Sequence, residues 1–291
     1  MEKPHTSRRF LARTIVATLL IAVITVSPLG SGCIGNKDAS TQEHAMKLQV
    51  TGSTTVLPIA EECACVFMKN NPGSQICVSG SGSSHGVKAA ADGTINIGDA
   101  SRDMLDSERA SHPGLVTHAI AKDGVAIVVH PESPVNGLTM QELKSIYAGE
   151  ITNWKDIGYE DADIMVVSRE EGSGTRDCFE QAVLAPAKEE ITDHAIIQDS
   201  NGKMRTTVAG NKDTIRFLSL GYVNSDIRAV SLDGANPTIE NIRSWDYAIS
   251  RTLWMITKGE PDADEHAFLD FVLSEDGQEI VSKVHFISVS R

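Results

Sequence analysis

The sequence predicts an α/β protein of two domains. Short apolar segments typical of strands alternate with helical segments from residue 46 to residue 291, an order typical of α/β folds. The chain has 291 residues, 41% of them hydrophobic, and this length suits two domains of roughly 100 to 150 residues each. Three loops rich in Gly, Ser and Thr follow predicted strands, at the edge where open α/β sheets bind ligands.

The N-terminus precedes the predicted fold. Four basic residues lead into the apolar run "TIVATLLIAVITV", which is too short for a membrane span and suits the apolar region of an export signal. Small residues then lead to Cys33, as in a lipoprotein signal, and "SRRFLAR" also resembles a twin-arginine signal. We therefore expect residues 1–32 to be a signal peptide and residues 33–45 a tether lipidated at Cys33. The protein would be anchored to the outer face of the cytoplasmic membrane.

The charge of the chain excludes one class of partner. The formal net charge is −13, and no basic stripe that could neutralise nucleic-acid phosphates is present. We expect no nucleic-acid partner. An anion bound by so acidic a chain must be held by donors at contact distance.

The first half of the mature chain begins with two strand–loop–helix units. Pro58 suits the first turn of the first helix and Gly93 suits the end of the second. We predict two strands around an "AKDG" turn after these units, and Thr139 with Glu142 predicts a capping box at the next helix. The predicted elements are, in order, "KLQVTG", helix 54–71, "QICVSG", helix 83–93, "INIGDASR", "LVTHAI", "VAIVVH" and helix 139–149.

The second half continues the alternation. "ITNWKDIG" is predicted to be a loop held by Trp154 in the core, and the strand "DIMVVSR" leads through a glycine-rich loop into the helix "TRDCFEQAVL". The strands "TIRFLSLGYV", "IRAVSLD" and "ISRTLWMITK" follow, with a short helix in "NPTIENIRS". One amphipathic helix is predicted over residues 263 to 282.

The three loops carry the predicted chemistry. They are "TGSTTV" (51–56), "SGSGSSHGV" (79–87) and "REEGSGTRD" (169–177). Each lies between a strand and a helix, where free backbone N–H groups and the helix dipole favour an anion. Arg169 adds a guanidinium fork beside the third loop. Any one loop is also explained by ordinary helix capping and turns, so the prediction depends on all three.

Enzymatic motifs are not evident. The second loop lacks both the G-x-G-x-x-G spacing and the G-K-[ST] ending of nucleotide sites, and "GSG" at 172–174 is no G-x-S-x-G elbow. We predict a protein that is not an enzyme and has no cofactor or metal. An exported phosphohydrolase using the same loops, or a sensory or adhesive surface protein that kept the fold, are the alternatives from other functional classes.

The loops in this order, with "IGDASRD" and "NWKDIG", resemble the PstS-type phosphate-binding proteins of ABC importers, in the periplasmic-binding-protein type II class. The resemblance covers about residues 46–291. It implies a two-lobed fold with a ligand cleft between the lobes and two chain crossings. Lobe I would hold residues 46–120 and 251–291, and lobe II residues 121–250.

The resemblance also implies the function and the site. The protein would be a monomeric extracytoplasmic lipoprotein that captures inorganic phosphate in the cleft and delivers it to the permease subunits of an ABC importer. The implied phosphate-binding residues are Ser53, Thr54, Thr55, Ser83, Ser84, Arg169, Ser173, Gly174 and Thr175.

One departure from the family bears on selectivity. The better-known branch has an aspartate that accepts the phosphate proton where this chain has Arg102, in "ASRD". An acceptor disfavours sulfate, which has no proton to give. We expect Ser101 and Arg102 to bind the anion, with Asp99 or Asp103 as a proton acceptor. Sulfate, molybdate or tungstate is the alternative ligand.

Other polar residues have more ordinary interpretations. Arg102 is alternatively an ion-pair partner of Asp103 or Asp106, and His85 is either at the rim of the site or exposed on a helix. The carboxylates at positions 170 and 171 are expected to be solvated or to orient Arg169. The remaining cysteines are expected to be buried thiols, with a disulfide from Cys77 to Cys63 or Cys65 as the alternative in an oxidising compartment, rather than zinc ligands.

Overall fold

The computed structural model describes residues 45–208 and 210–289. The predicted signal peptide, Cys33 and nearly all of the predicted tether lie outside the described residues. Within these two ranges, no helix has the length and apolar character needed to cross a bilayer.

The strands follow the predicted alternation closely. Those of the described chain are β1 (Lys47–Gly52), β2 (Gln75–Gly80), β3 (Ile97–Ala100), β4 (Leu115–Val129), β5 (Gly137–Leu138), β6 (Met165–Arg169), β7 (Ile196–Gln198), β8 (Thr214–Ser219), β9 (Arg228–Ala229), β10 (Ser231–Leu232), β11 (Ser250–Lys258) and β12 (Ile287–Ser288).

The helices lie between them, with short 3₁₀ turns at 154–157, 185–187 and 220–222. The α-helices of the described chain are α1 (Leu57–Asn70), α2 (Ser83–Asp92), α3 (Asp106–Ser111), α4 (Met140–Tyr147), α5 (Gly174–Val183), α6 (Asn201–Val208), α7 (Ile239–Arg243), α8 (Ala263–Leu273) and α9 (Glu275–Lys283).

Local end signals account for several helix boundaries. Pro58 lies in the first turn of α1, where its missing N–H costs nothing. Gly93 ends α2 with a φ of 70°, in the left-handed region that favours glycine. The side chains of Thr139 and Glu142 form the predicted capping box of α4. These three predictions are confirmed.

Ten of these twelve strands form one sheet in the order β2-β1-β3-β11-β4-β8-β6-β7, with β9 and β12 pairing with β4, and β5 pairs separately with β10. Strands β1, β2 and β3 run parallel, and so do β6, β7 and β8. Parallel strands bring their carboxyl ends to one edge of a sheet, so the loops that follow β1, β2 and β3 lie together. The loops after β6 and β7 lie together in the same way.

The predicted turn at 121–124 is wrong, because β4 runs unbroken through it. Residues Leu115–Gly124 of β4 pair with β11, and residues Val125–Val129 pair with β8. Asp123 and Gly124 resemble a turn in sequence, yet the Asp123 carboxylate is buried and bonded to the Arg251 guanidinium. Strand β4 therefore continues from one half of the sheet into the other.

Two large hydrophobic clusters lie on the two halves of the sheet. One packs Phe67 of α1 edge to face on Phe268 of α8, over strands β1, β3 and β11. The other stacks Phe179 of α5 on Phe217 of β8, with centroids 4.2 Å apart. Trp154 is buried in the second cluster and confirms its predicted core position. Each half of the sheet thus has a core of its own.

The prediction of one C-terminal helix over 263–282 is wrong about continuity, because the helix is interrupted. Two helices, α8 and α9, occupy this segment, with Ser274 between them in extended backbone conformation. The Ser274 hydroxyl accepts from the N–H of Gly277 and caps α9. An added Cβ at Gly277 would lie 2.1 Å from the carbonyl oxygen of Phe271, so the close approach of the two helices requires glycine there.

Candidate functional site

The three predicted loops meet around a small cavity, which in this structure is closed to a water-sized sphere. Its lining consists of small polar residues and one arginine, and apart from that arginine it contains no ionisable side chain. The lining residues are Ser53, Thr54, Gly82, Ser83, Ser101, Arg169, Ser173, Gly174 and Thr175.

The first loop is held in place from β3. The Ser53 N–H donates to the carbonyl oxygen of Asp99 at 3.0 Å. Gly52 has a φ of 146°, and an added Cβ would lie 2.2 Å from that same carbonyl oxygen. Glycine at this position lets the loop approach β3 closely, so Ser53 and Thr54 reach the cavity at the start of α1.

The second loop places Ser83 at the start of α2. Gly82 has a φ of 95° and serves as the N-cap of this helix. The Ser83 hydroxyl accepts from the N–H of Ser101 at 3.1 Å, which joins the end of β3 to the second loop. Both hydroxyls are buried at the cavity, beside the first turn of α2.

The third loop gives the cavity its positive charge. Ser173 caps α5, accepting from the N–H of Arg176 at 3.4 Å, and Gly174 and Thr175 form the first turn of the helix. Arg169, at the end of β6, is 1% exposed. A helix N-terminus and a guanidinium therefore face the same space.

The Arg169 side chain is oriented by its neighbour. Both carboxylate oxygens of Glu170 accept from it, from Nε and from Nη2, each at 2.8 Å. Nη2 also donates to the Thr54 hydroxyl at 3.3 Å. Nη1 is buried and has no hydrogen-bond partner in the described chain. This unpaired donor belongs to a residue of the cavity lining, and it is the clearest indication of an anion site, because an unpaired buried donor is costly.

The loops of the two halves of the sheet are bonded directly to one another. The Thr55 and Thr175 hydroxyls lie 3.1 Å apart, and the N–H of Ser84 donates to the Gly172 carbonyl at 3.1 Å. The Tyr222 hydroxyl donates to the Thr54 carbonyl at 2.7 Å. The residues that line the cavity are accordingly almost all buried.

A buried ion pair lies next to the lining and was missed by sequence reasoning. Arg251 of β11 bonds to Asp123 of β4, and it also donates to the hydroxyls of Thr55 and Thr175 and to the Ser101 carbonyl. The available signals were a charged residue inside each of two apolar strands. Asp123 lies in "AKDG", the segment predicted to separate two strands.

Asn201, at the start of α6, was also missed. Its side-chain amide donates to the Thr55 hydroxyl at 2.9 Å and to the Thr54 hydroxyl at 3.4 Å. Thr55 therefore bonds to Asn201, Arg251 and Thr175. Like Ser84, it lies outside the lining, although the resemblance implies both among the direct binders. Its hydroxyl bonds to that of Thr175, which is in the lining, so Thr55 supports a lining residue without facing the cavity.

Arg102 requires the largest correction among the predicted site residues. Its side chain lies outside the cavity lining, and all five of its N–H groups have acceptors. It donates to both carboxylate oxygens of Glu108, to Asp177, to the Ser84 hydroxyl and to a backbone carbonyl. No donor is left for an anion. The alternative of an ion-pair partner is the better one, with carboxylates other than the two expected.

Neither candidate proton acceptor lines the cavity. Asp103 is exposed and accepts from the indole N–H of Trp254 at 2.9 Å. Asp99 is fully buried, and neither of its carboxylate oxygens has a hydrogen-bond partner in the described chain. Burial raises the pKa of Asp99 well above its ordinary value, because a buried site disfavours the charged form. The cavity lining thus contains no carboxylate.

The remaining polar residues take the ordinary positions. His85 is exposed on α2, Glu171 is exposed, and Glu170 orients Arg169. The four cysteines of the described chain, at positions 63, 65, 77 and 178, are free thiols, but the prediction that they are buried is wrong for Cys65 and Cys77, which are exposed. Burial raises the pKa of Cys63 to about 12 and that of Cys178 to about 11, so both thiols are inert. The described residues include no group of three His, Cys, Asp or Glu side chains placed to share a metal ion.

Comparison with known proteins identifies relatives over most of the chain. A family model described as the PBP superfamily domain matches residues 37–276. The phosphate-binding protein PstS of Bacillus subtilis is 30% identical over 285 residues, covering 95% of this chain and 94% of the relative.

Solved structures agree in fold. A substrate-binding protein of Clostridium perfringens with bound phosphate superposes with a TM-score of 0.80 at 41% identity, covering 84% of this chain and 100% of that one. An ABC-type phosphate transport receptor from Vibrio cholerae has a TM-score of 0.70 at 32% identity, covering 82% of this chain and 99% of that one.

Proposed function

The chain belongs to the PBP superfamily and, within it, to the PstS-type phosphate-binding proteins, and on this basis we propose that it captures inorganic phosphate and delivers it to an ABC importer. The predicted fold class, a two-lobed type II periplasmic-binding-protein fold, is confirmed by the same relatives. The observation that carries the function is the buried, unpaired Nη1 of Arg169, a residue of the cavity lining.

The proposed mechanism is binding without bond-making. Phosphate oxygens accept hydrogen bonds from Arg169, from the backbone N–H groups that begin α1, α2 and α5, and from the lining hydroxyls. Such donors act at contact distance and replace the hydration shell of the anion, so they work in a chain whose net charge is −13. The direct binders in this proposal are Ser53, Thr54, Ser83, Ser101, Arg169, Ser173, Gly174 and Thr175.

Closure of two lobes around the anion accounts for the distribution of these residues. We retain the predicted division, with lobe I at 46–120 and 251–291 and lobe II at 121–250. Lobe I then supplies the first two loops and lobe II supplies Arg169 and the start of α5. An anion that bonds to both favours the closed conformation. The closed form presents the loaded face to the permease subunits.

The lining argues against an enzyme. It contains hydroxyls, yet no His, Asp, Glu, Lys or Cys side chain stands beside them as a base or nucleophile. Hydrolysis of a phosphate ester requires an activated nucleophile. We therefore propose a binding protein that leaves its ligand unchanged.

The location follows from the family and from the N-terminal sequence together. PstS relatives support an extracytoplasmic protein. We propose further that residues 1–32 are removed, that Cys33 is lipidated, and that the protein works as a monomer held at the outer face of the cytoplasmic membrane. Labelling of the expressed protein with a radioactive fatty acid, and its loss in Cys33→Ser, tests the anchor.

Calorimetric titration of the mature protein, stripped of bound anion, tests the function. We expect tight phosphate binding by the wild type and a loss of at least about a hundredfold in Arg169→Met, because a charged hydrogen-bonding partner is removed from a buried site. Arg109→Met is the matched control, since Arg109 is exposed and its side chain donates to the Met104 carbonyl. Equal losses in both variants would refute the proposed site.

A second candidate ligand is favoured by one observation, the lack of a carboxylate in the lining. Hydroxyls can donate to any oxyanion, so no group in the lining penalises sulfate, molybdate or tungstate as a fixed acceptor would. Competition titrations with each anion separate the two proposals. Phosphate binding that the other anions leave unchanged supports a phosphate carrier, and equal displacement supports a general oxyanion carrier.

A further inference from the structure

Arg102 connects elements on both sides of the cavity. Its Nε donates to Oδ2 of Asp177, on α5, at 2.5 Å. Its two terminal nitrogens donate to both oxygens of Glu108, on α3, at 2.8 Å, and to the Ser84 hydroxyl on α2 at 2.9 Å. In the lobe division of the proposed function, Ser84 and Glu108 belong to lobe I and Asp177 to lobe II.

The Arg102 side chain is 2% exposed and that of Asp177 is 21% exposed. A charge pair with one buried member is screened little by salt and holds its geometry, unlike a surface pair. Arg102 follows Ser101 of the lining, and Asp177 lies two residues after Thr175 of the lining. The pair therefore lies at the cleft, beside the cavity.

We infer that Arg102 is a positioning residue that stabilises the closed conformation through Asp177 and does not itself bind the anion. Glu108 and Ser84 fix the guanidinium on its own lobe, so that Nε is preset to meet Asp177 when the lobes close. On opening, Arg102 keeps Glu108 as its partner and only the contact with Asp177 is lost. This inference rests on the proposed function, because it assumes closure around an anion.

The inference predicts that removing the Asp177 charge changes phosphate affinity in the direction opposite to that expected from charge repulsion alone. Removing a negative charge near an anion site should strengthen anion binding. Removing Asp177 should instead weaken it, because the closed form loses a bond that the open form does not have. The sign of the change in affinity thus distinguishes a positioning role from a background charge.

The test compares Asp177→Asn with Glu180→Gln in the mature protein. Glu180 lies on the same helix and pairs with Arg176 at 2.8 Å, within one lobe, so its variant removes the same charge without breaking a bond across the cleft. We expect Asp177→Asn to bind phosphate about tenfold more weakly, through faster dissociation, and Glu180→Gln to bind as the wild type or slightly tighter. Asp177→Glu, which restores the charge, should recover part of the loss.

Small-angle X-ray scattering in phosphate-free buffer gives a second readout. The radius of gyration of Asp177→Asn should exceed that of the wild type and of Glu180→Gln. Unchanged or tighter phosphate binding by Asp177→Asn, or the same weakening in both variants, would overturn the inference. A wild type that binds no phosphate would refute the proposed function alone, and the scattering comparison would still decide the role of Arg102.

Discussion

Arg251 Nη2 lies 2.7 Å from Asp123 Oδ2, and the two side chains are 3% and 1% exposed. The pair joins β11 to β4 at the level of the cavity, and the remaining donors of the guanidinium reach the hydroxyls of Thr55 and Thr175. Burial raises the pKa of Asp123 even beside the arginine, which indicates how costly this location is for a charge. The ion pair and the hydroxyls therefore form one polar network beside the site.

Breaking this network should destabilise the protein strongly. Asp123→Asn leaves the Arg251 charge buried without its counter-ion, and such losses cost about 3–5 kcal/mol. We expect a decrease of this size in the free energy of unfolding, measured with urea at pH 7. Asp199→Asn removes the exposed pair with Lys203 and should cost less than about 1 kcal/mol. Similar small losses in both variants would contradict the structural role of the pair.

Replacing Arg216 of β8 should stabilise the protein, in contrast to the loss expected for Asp123→Asn. Arg216 is fully buried, and none of its three side-chain nitrogens has a hydrogen-bond partner in the described chain. Burial lowers its pKa to about 9, so it stays charged at neutral pH at a cost in stability. Arg216→Met should therefore raise the free energy of unfolding, by about 1–3 kcal/mol.

Urea unfolding at pH 7 checks this result, with Arg251→Met as the control. Both substitutions replace a buried arginine by the same apolar side chain, yet one arginine has a carboxylate partner and the other has none. A loss of stability in both variants would contradict the prediction, because it would mean that the buried Arg216 guanidinium stabilises the folded protein.

Local patterns predicted the loops that form the site. Gly, Ser and Thr at strand ends, Pro58 in a first turn and the capping pair at residues 139 and 142 act over a few residues, so their effects can be read from the sequence. The convergence of the loops followed from parallel strands sharing an edge. These parts of the prediction depend on backbone geometry that any such sequence must adopt.

The missed features depend on contacts between distant residues. Asp123 and Arg251 are 128 positions apart, and neither segment contains a sign of the other. The same holds for Arg102 and Asp177, 75 positions apart. A charged side chain in an apolar strand signals that a partner exists without saying which residue it is. Tertiary pairing also decided that β4 continues through a segment whose residues resemble a turn.

The buried carboxyl of Asp99 predicts how the stability of the protein depends on pH. Below about pH 3.9 its carboxyl is protonated in the folded and the unfolded protein alike. As the pH rises, the unfolded chain loses this proton while the buried carboxyl keeps it, because burial raises its pKa. The folded state then binds more protons, so stability falls with rising pH. Asp99→Asn has no carboxyl at this position, so its free energy of unfolding should rise relative to that of the wild type as the pH increases above about 4.

Urea unfolding of both proteins from pH 4 to pH 8 checks this prediction. Asp99→Leu, which also lacks an ionisable group, should show the same slope relative to the wild type, whatever its absolute stability. A difference that stays constant across this range would mean that the Asp99 carboxyl ionises as readily in the folded protein as in the unfolded chain.

Gly174 offers a test of closure that leaves the charges unchanged. An added Cβ would lie 2.3 Å from the Ser83 hydroxyl and 2.8 Å from that of Ser101, both on the opposite side of the cavity. Gly174 begins α5, where alanine favours the helix, so lobe II itself should not be destabilised. Overpacking of this kind costs about 1–3 kcal/mol, which corresponds to phosphate affinity lower by roughly 5- to 150-fold in Gly174→Ala.

The matched control is Gly202→Ala, in the first turn of α6, where an added Cβ would meet nothing within 4 Å. We expect its phosphate affinity, measured by calorimetry, to equal that of the wild type, while both variants keep or slightly raise the melting temperature. Because the clash at Gly174 arises only when the two sides of the cavity are in contact, a loss of affinity without a loss of stability would identify closure as the step that the added methyl group obstructs. Unchanged affinity in Gly174→Ala would mean that phosphate binds without the close approach of α5 to Ser83.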